Sequence, residues 1–147
     1  MKDYISAVRP RTLPKPAGFS YAMEVKYGRV VFVAGQVAVD ANGTIVGRGD
    51  LVGQFRQTCA NLQAVVIAAG GDMADFVKLT IYVLDVADYK KNLKAIGEVY
   101  REYFGKHFPA MTLVGVRDLF DAANGALIEI EGMAALPPLP REVLPPS

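Results

Sequence analysis

The sequence predicts an α+β fold, a mixed β-sheet with two helices packed on one of its faces. Three observations lead there. Two stretches, Leu51 to Ala69 and about Tyr89 to Phe104, carry apolar residues at helical spacing. Short β-branched and aromatic runs precede, separate and follow them. At 52% hydrophobic residues in 147, the strands are too apolar for the sheet face left bare by the helices to meet water. Covering that face calls for self-association, and a closed ring of three is one solution.

Residues 1–17 form an N-terminal arm in which Pro10, Pro14 and Pro16 forbid helix. Residues 18–136 form a single domain, and residues 137–147 a proline-rich tail. Phe19 to Val25 alternates weakly as a first strand. After a turn at Tyr27-Gly28-Arg29, Val30-Val31-Phe32-Val33-Ala34 is a strong buried strand, and the two read as a hairpin. Asn42-Gly43 supplies a tight turn, with Ile45-Val46 as a short return strand. Asp50 is placed to cap the first helix, whose stripe is Leu51, Phe55, Cys59, Leu62, Val66 and Ala69. Gly70-Gly71 ends it. Phe76 to Val83 and Met111 to Val116 flank the second helix as strands, and Gly105 to Pro109 is a loop.

The last strand, within Ala126 to Ala135, carries two acids. Alternation sends Glu129 and Glu131 to one face and Ile128 and Ile130 to the other. An ionised carboxylate is costly to bury alone. The acidic face is therefore either a solvent-facing edge or the wall of a cleft between subunits.

Several function classes are disfavoured. A net charge of +1 with scattered Lys and Arg argues against nucleic acid as a partner. A lone histidine, His107, and a lone cysteine, Cys59, build neither a usual metal site nor a disulfide framework. No Ser or Cys sits in a recognisable nucleophile context. Without a signal-peptide pattern or a bilayer-length apolar run, no membrane partner and a cytoplasmic location are expected.

The sequence resembles the RidA/YjgF/YER057c/UK114 family, also labelled endoribonuclease L-PSP or RutC-like. The matching pieces are Val31 to Gln36, Gln57-Thr58, Asn61-Leu62, Ala68-Ala69-Gly70, Val77 to Val83, Tyr100 to Phe104, Phe108-Pro109-Ala110 and Ile128 to Glu131. Their order and spacing cover Gly18 to Ala135. The resemblance implies a chorismate-mutase-like protomer of the bacillary type, in a homotrimer with a small-molecule site in each inter-subunit cleft. It implies hydrolysis of imines and enamines such as 2-aminoacrylate, with no metal and no organic cofactor.

Carried over by position, the resemblance makes Glu129 the residue that positions water. The substrate-binding Arg of the imine deaminases is here Met111, the Tyr is Phe19 and the Ser is Ala34. The backbone near Gly35 and Leu113 would hold developing charge, with Gln36 beside Gly35. Glu131 and His107 fall at the rim, with Lys106 near His107. Arg117, six residues past Met111, reads as a surface side chain. Met offers a flexible thioether where a guanidinium would grip a carboxylate. The loss of a cation and two hydroxyls makes the cleft more apolar, which would raise the Glu129 pKa. Three readings follow: a hydrolase or deaminase of a small C–N metabolite other than 2-aminoacrylate, a non-catalytic small-molecule-binding trimer, and, least supported, a ribonuclease.

Overall fold

The computed structural model describes residues 2–140. The expected α+β layering is present. The strands are β1 (Ile5–Val8), β2 (Ala22–Val25), β3 (Arg29–Gln36), β4 (Phe76–Val83), β5 (Ala110–Gly115) and β6 (Ile128–Leu136). The helices are α1 (Leu51–Ala68), α2 (Val86–Lys91) and α3 (Leu93–Phe104). The main sheet has the order β3-β6-β4-β5. Its β3–β6 and β6–β4 pairs are antiparallel and its β4–β5 pair is parallel.

The expected hairpin between the first two runs does not form. β2 pairs antiparallel with β1, from Ile5 opposite Val25 to Val8 opposite Ala22, while β3 pairs with β6. The turn at Gly28 explains the difference. With φ of +116°, it runs so close to β6 that a Cβ there would lie 2.2 Å from the Leu136 carbonyl oxygen. This turn delivers β3 to the end of β6 rather than back along β2. Residues 2–17 therefore hold a strand as well as the proline-rich segment. The strand is anchored by a buried cluster in which Tyr4 Oη and Lys2 Nζ both donate to Asp75, itself fully buried.

α1 opens as expected, with Asp50 Oδ1 accepting from Gly53 N at 3.0 Å. Its stripe of Leu51, Phe55, Cys59, Leu62 and Val66 is buried. The expected second helix is two helices. Asn92 breaks it, because its side-chain amide donates to both the backbone oxygen and the carboxylate of Asp88 and so competes with helix continuation. The Ile45-Val46 return strand shrinks to a single bridge between Val39 and Ile45.

α1 and α3 cover one sheet face, burying Val33, Leu79, Ile81, Val83, Ile128 and Ile130 between the layers. Truncating a fully buried side chain such as Leu62 to alanine costs about 2–5 kcal/mol. The other face is open. It carries Lys78, Thr80, Tyr82, Glu129 and Glu131 together with Val30, Met133 and Phe32, the last 76% exposed. No helix among the described residues is long and apolar enough to cross a membrane. Of the C-terminal tail, residues 141–147 lie outside the described residues.

Candidate functional site

Glu129 sits on the open face of β6, opposite Tyr82 of β4. On its other side β3 carries an irregularity between Val33 and Gln36, where one extra residue is accommodated. Bulges of this kind re-aim side chains and recur beside functional sites. The bulge brings the Gly35 backbone against the Glu129 carboxylate: a Cβ built on Gly35 would lie 2.1 Å from Oε2. Only a residue without a side chain leaves that space to the carboxylate.

Glu129 is half-buried, and among the described residues no donor binds its carboxylate. Burial raises its pKa first, with the negative charges of Asp121 and Glu131 adding to the shift. A carboxylate held in this way is poised to exchange a proton. Glu131, one pleat away, is exposed and accepts a hydrogen bond from Tyr82 Oη at 2.5 Å. That bond, followed by partial burial and the two glutamate charges, raises the Tyr82 pKa. Gln36 folds back to donate to the Ala34 carbonyl at 3.0 Å, leaving Ala34 exposed beside the bulge.

The remaining expected residues lie elsewhere. Met111 and Leu113 pair with Leu79 and Ile81, and both pack towards the helices, on the face opposite Glu129. Phe19 stacks edge-on against Tyr21 with ring centroids 5.3 Å apart. It is held near the start of β5 because Ser20 N donates to the Pro109 carbonyl and Ser20 Oγ to the Phe108 carbonyl. His107 does not approach Glu129. Its Nε2 donates to the Phe76 carbonyl at 2.6 Å, and Phe76 is six residues along β4 from Tyr82, about 20 Å. Lys106 and Arg117 are exposed.

The expected residues thus fall into two groups. Glu129, Glu131, Ala34, Gly35 and Gln36 lie on the open face towards the β3 edge. Phe19, Met111 and Leu113 lie at the β5 edge, across the full width of the sheet. One chain does not bring the groups together. Tyr82 and Asp121 join the first group without having been expected. The alternation of β4 carries a signal for Tyr82, since it shares a face with Lys78 and Thr80; Asp121 sits in a loop with no local pattern. Among the described residues no group of three or more His, Cys, Asp or Glu side chains is placed to hold a metal ion.

The protomer is therefore an α+β unit with an open sheet face carrying one underbonded carboxylate. Residues 12–136 match the family model described as Endoribonuclease L-PSP. The chain is 39% identical over 121 residues to a RutC family protein of Pyrococcus horikoshii, covering 82% of this chain and 90% of that one. It is 32% identical over 123 residues to a 2-iminobutanoate/2-iminopropanoate deaminase of Dermatophagoides farinae, covering 84% and 90%. A crystal structure of a Rid family protein from Yersinia pestis superposes with a TM-score of 0.79 at 39% identity, covering 90% of this chain and 99% of that one. The chain belongs to the endoribonuclease L-PSP family, that of RidA, YjgF and UK114, and shares its chorismate-mutase-like α+β fold.

Proposed function

We propose that the protein is a cytoplasmic hydrolase of small imines or enamines, acting as a homotrimer with a cleft between neighbouring subunits. The observation that carries this is Glu129, a half-buried carboxylate with a raised pKa, held against Gly35 and lacking a donor of its own. Relatives named as 2-iminobutanoate/2-iminopropanoate deaminases support the reaction class. In the proposed step Glu129 takes a proton from water while the water oxygen bonds to the imine carbon. Glu129 returns that proton to the nitrogen, giving a carbinolamine; the carbinolamine hydroxyl then gives its proton to the nitrogen as the carbon–nitrogen bond breaks, and ketone and ammonia leave. The reaction as written consumes only water and involves no nucleic acid.

Met111, Phe19 and Ala34 make 2-aminoacrylate a poor substrate in this reading, because a carboxylate-gripping fork and two hydroxyls are missing at those positions. The test is Glu129→Gln, scored by ammonia release from imines generated in situ by an amino-acid oxidase. Turnover should fall by roughly 10²-fold or more while the oligomer persists. Wild-type turnover in the variant removes Glu129 from the chemistry.

The second reading, a binding trimer without turnover, is favoured by the inward-facing Met111 and Leu113. It gains if no imine is turned over and a ligand still raises the melting temperature.

A further inference from the structure

The protomer holds a polar hollow of about 360 Å³ whose walls include neither Glu129 nor Phe19 nor Met111. It lies between two loops, the one joining β3 to α1 and the one joining β5 to β6. Gly43, Thr44, Ile45 and Arg48 line it from the first loop, Asp121 and Asn124 from the second. A volume of this size accepts a small metabolite.

Both walls are fixed by hydrogen bonds. In the first loop Asp40 Oδ1 accepts from Asn42 N at 2.9 Å and from Thr44 N at 3.0 Å, which sets the turn carrying Thr44. In the second the Asp121 carbonyl accepts from Asn124 N and Ala126 N, both at 3.0 Å. Gln54, fully buried on α1, ties the loops together. Its Nε2 donates to the Gly47 carbonyl at 3.2 Å and to the Gly125 carbonyl at 2.8 Å, and its Oε1 accepts from Leu127 N at 2.8 Å. Gly47 precedes Arg48 and Gly125 follows Asn124, so this one side chain sets the separation of the walls.

The walls carry opposite charges that do not meet. Arg48 lies along Gly125, where an added Cβ would be 3.1 Å from its Cγ and 3.2 Å from its Nε. Asp121 heads a short 3-10 turn, Ala122–Asn124, yet its carboxylate caps no backbone amide there. Among the described residues neither Arg48 nor Asp121 forms an ion pair. One hollow is thus lined by an unspent guanidinium and an unspent carboxylate.

We propose that this hollow binds a small α-amino acid with a polar side chain, its carboxylate on Arg48 and its ammonium on Asp121. A zwitterion supplies the two charges the walls lack, and each contact is a charge-assisted hydrogen bond. Thr44 and Asn124 offer a hydroxyl and an amide to the ligand's side chain. The site goes beyond the imine-hydrolase reading, which uses none of these residues. Asp121 reaches Glu129 only through its charge.

The test is isothermal titration calorimetry of the whole chain with three probes: L-glutamine, N-acetyl-L-glutamine, which lacks the ammonium, and L-glutamine α-amide, which lacks the carboxylate. L-Glutamine should bind, and each derivative should bind on the order of tenfold more weakly or worse. Arg48→Met, which keeps the stem along Gly125, and Asp121→Asn should each weaken L-glutamine by a similar factor, with circular dichroism unchanged. Glu129→Gln should bind L-glutamine as wild type does, even if its imine turnover is lost, so either reading can fail while the other stands. No binding of L-glutamine, equal binding of the N-acetyl derivative, or an affinity unmoved in Arg48→Met or Asp121→Asn would each overturn the assignment.

Discussion

Replacing Gly35 with alanine adds one methyl group to β3 and tests whether the placement of Glu129 matters. Gly35 does not have a positive φ, so alanine meets no backbone strain there. The obstacle is the carboxylate alone: the new Cβ would lie 2.1 Å from Oε2, 2.9 Å from Cδ and 3.1 Å from Cγ. Ordinary contact begins at 3.4 Å, so the oxygen must retreat by more than 1 Å. A displacement of that size at a reacting group costs roughly 10²-fold in rate. Stability should barely move. The side chain that yields is only half-buried and has room towards solvent, and alanine disfavours the unfolded chain relative to glycine by about 0.4–1 kcal/mol. The assay is ammonia release from an oxidase-generated imine, with the melting temperature recorded in parallel. Wild-type turnover with an unchanged melting temperature would show that the contact between Gly35 and Glu129 is irrelevant to the chemistry. A large fall in melting temperature would show that the methyl group disrupts the strand rather than the acid.

Three further outcomes follow from the same geometry. In the folded chain Glu129 has a pKa above its ordinary unfolded value of about 4.3, so the native state binds the extra proton between the two values. The stability this provides is complete below the unfolded value and is lost as pH rises through the folded one. Glu129→Gln should therefore melt at or above wild type at pH 7 and show a flatter stability profile on the acid side, measured by thermal denaturation from pH 4 to 7. Tyr4→Phe removes a donor from the fully buried Asp75 and should cost about 1–3 kcal/mol, or roughly 2–4 °C in melting temperature per kcal/mol, by differential scanning calorimetry. Phe32→Glu alters a side chain 76% exposed in the protomer, so its circular dichroism should match wild type while light scattering reports a smaller particle; an unchanged mass would exclude Phe32 from any subunit interface.

How much of this was legible in the sequence depends on how local each feature is. α1 could be read because its stripe repeats at 3.6 residues and every early member, from Leu51 to Val66, is buried. The opposed faces of Glu129 and Ile130 could be read because alternation along one strand is a local property. The break at Asn92 was missed because it depends on one side chain competing for a carbonyl four residues back. β1 was missed because four residues before a proline-rich stretch become a strand only when β2 arrives beside them. The facing of Met111 was hidden for the same kind of reason. Its side depends on register with Leu79 across the β4–β5 pair, and nothing within its own strand fixes that register relative to Glu129.

Two features of the protomer call for the same arrangement in the proposed trimer. The open sheet face exposes Val30, Phe32 and Met133 to solvent in one isolated chain, which burial of apolar surface disfavours. The expected site is divided between the β3 side and the β5 edge, separated by three strand spacings of about 4.8 Å. In the proposed trimer, a head-to-tail contact setting the β3 edge of one chain against the β5 edge of the next would cover apolar surface and bring the two edges together. A two-fold contact pairs like edges and leaves them apart. Closure by rotation rather than by a two-fold axis would thus bring Glu129 of one chain towards the β5 edge of another, where Phe19 lies, while Met111 packs on the helix side of that edge. On this reasoning an isolated protomer holds the acid and lacks the other half of the cleft, so turnover should fall together with assembly in Phe32→Glu even though Glu129 is untouched.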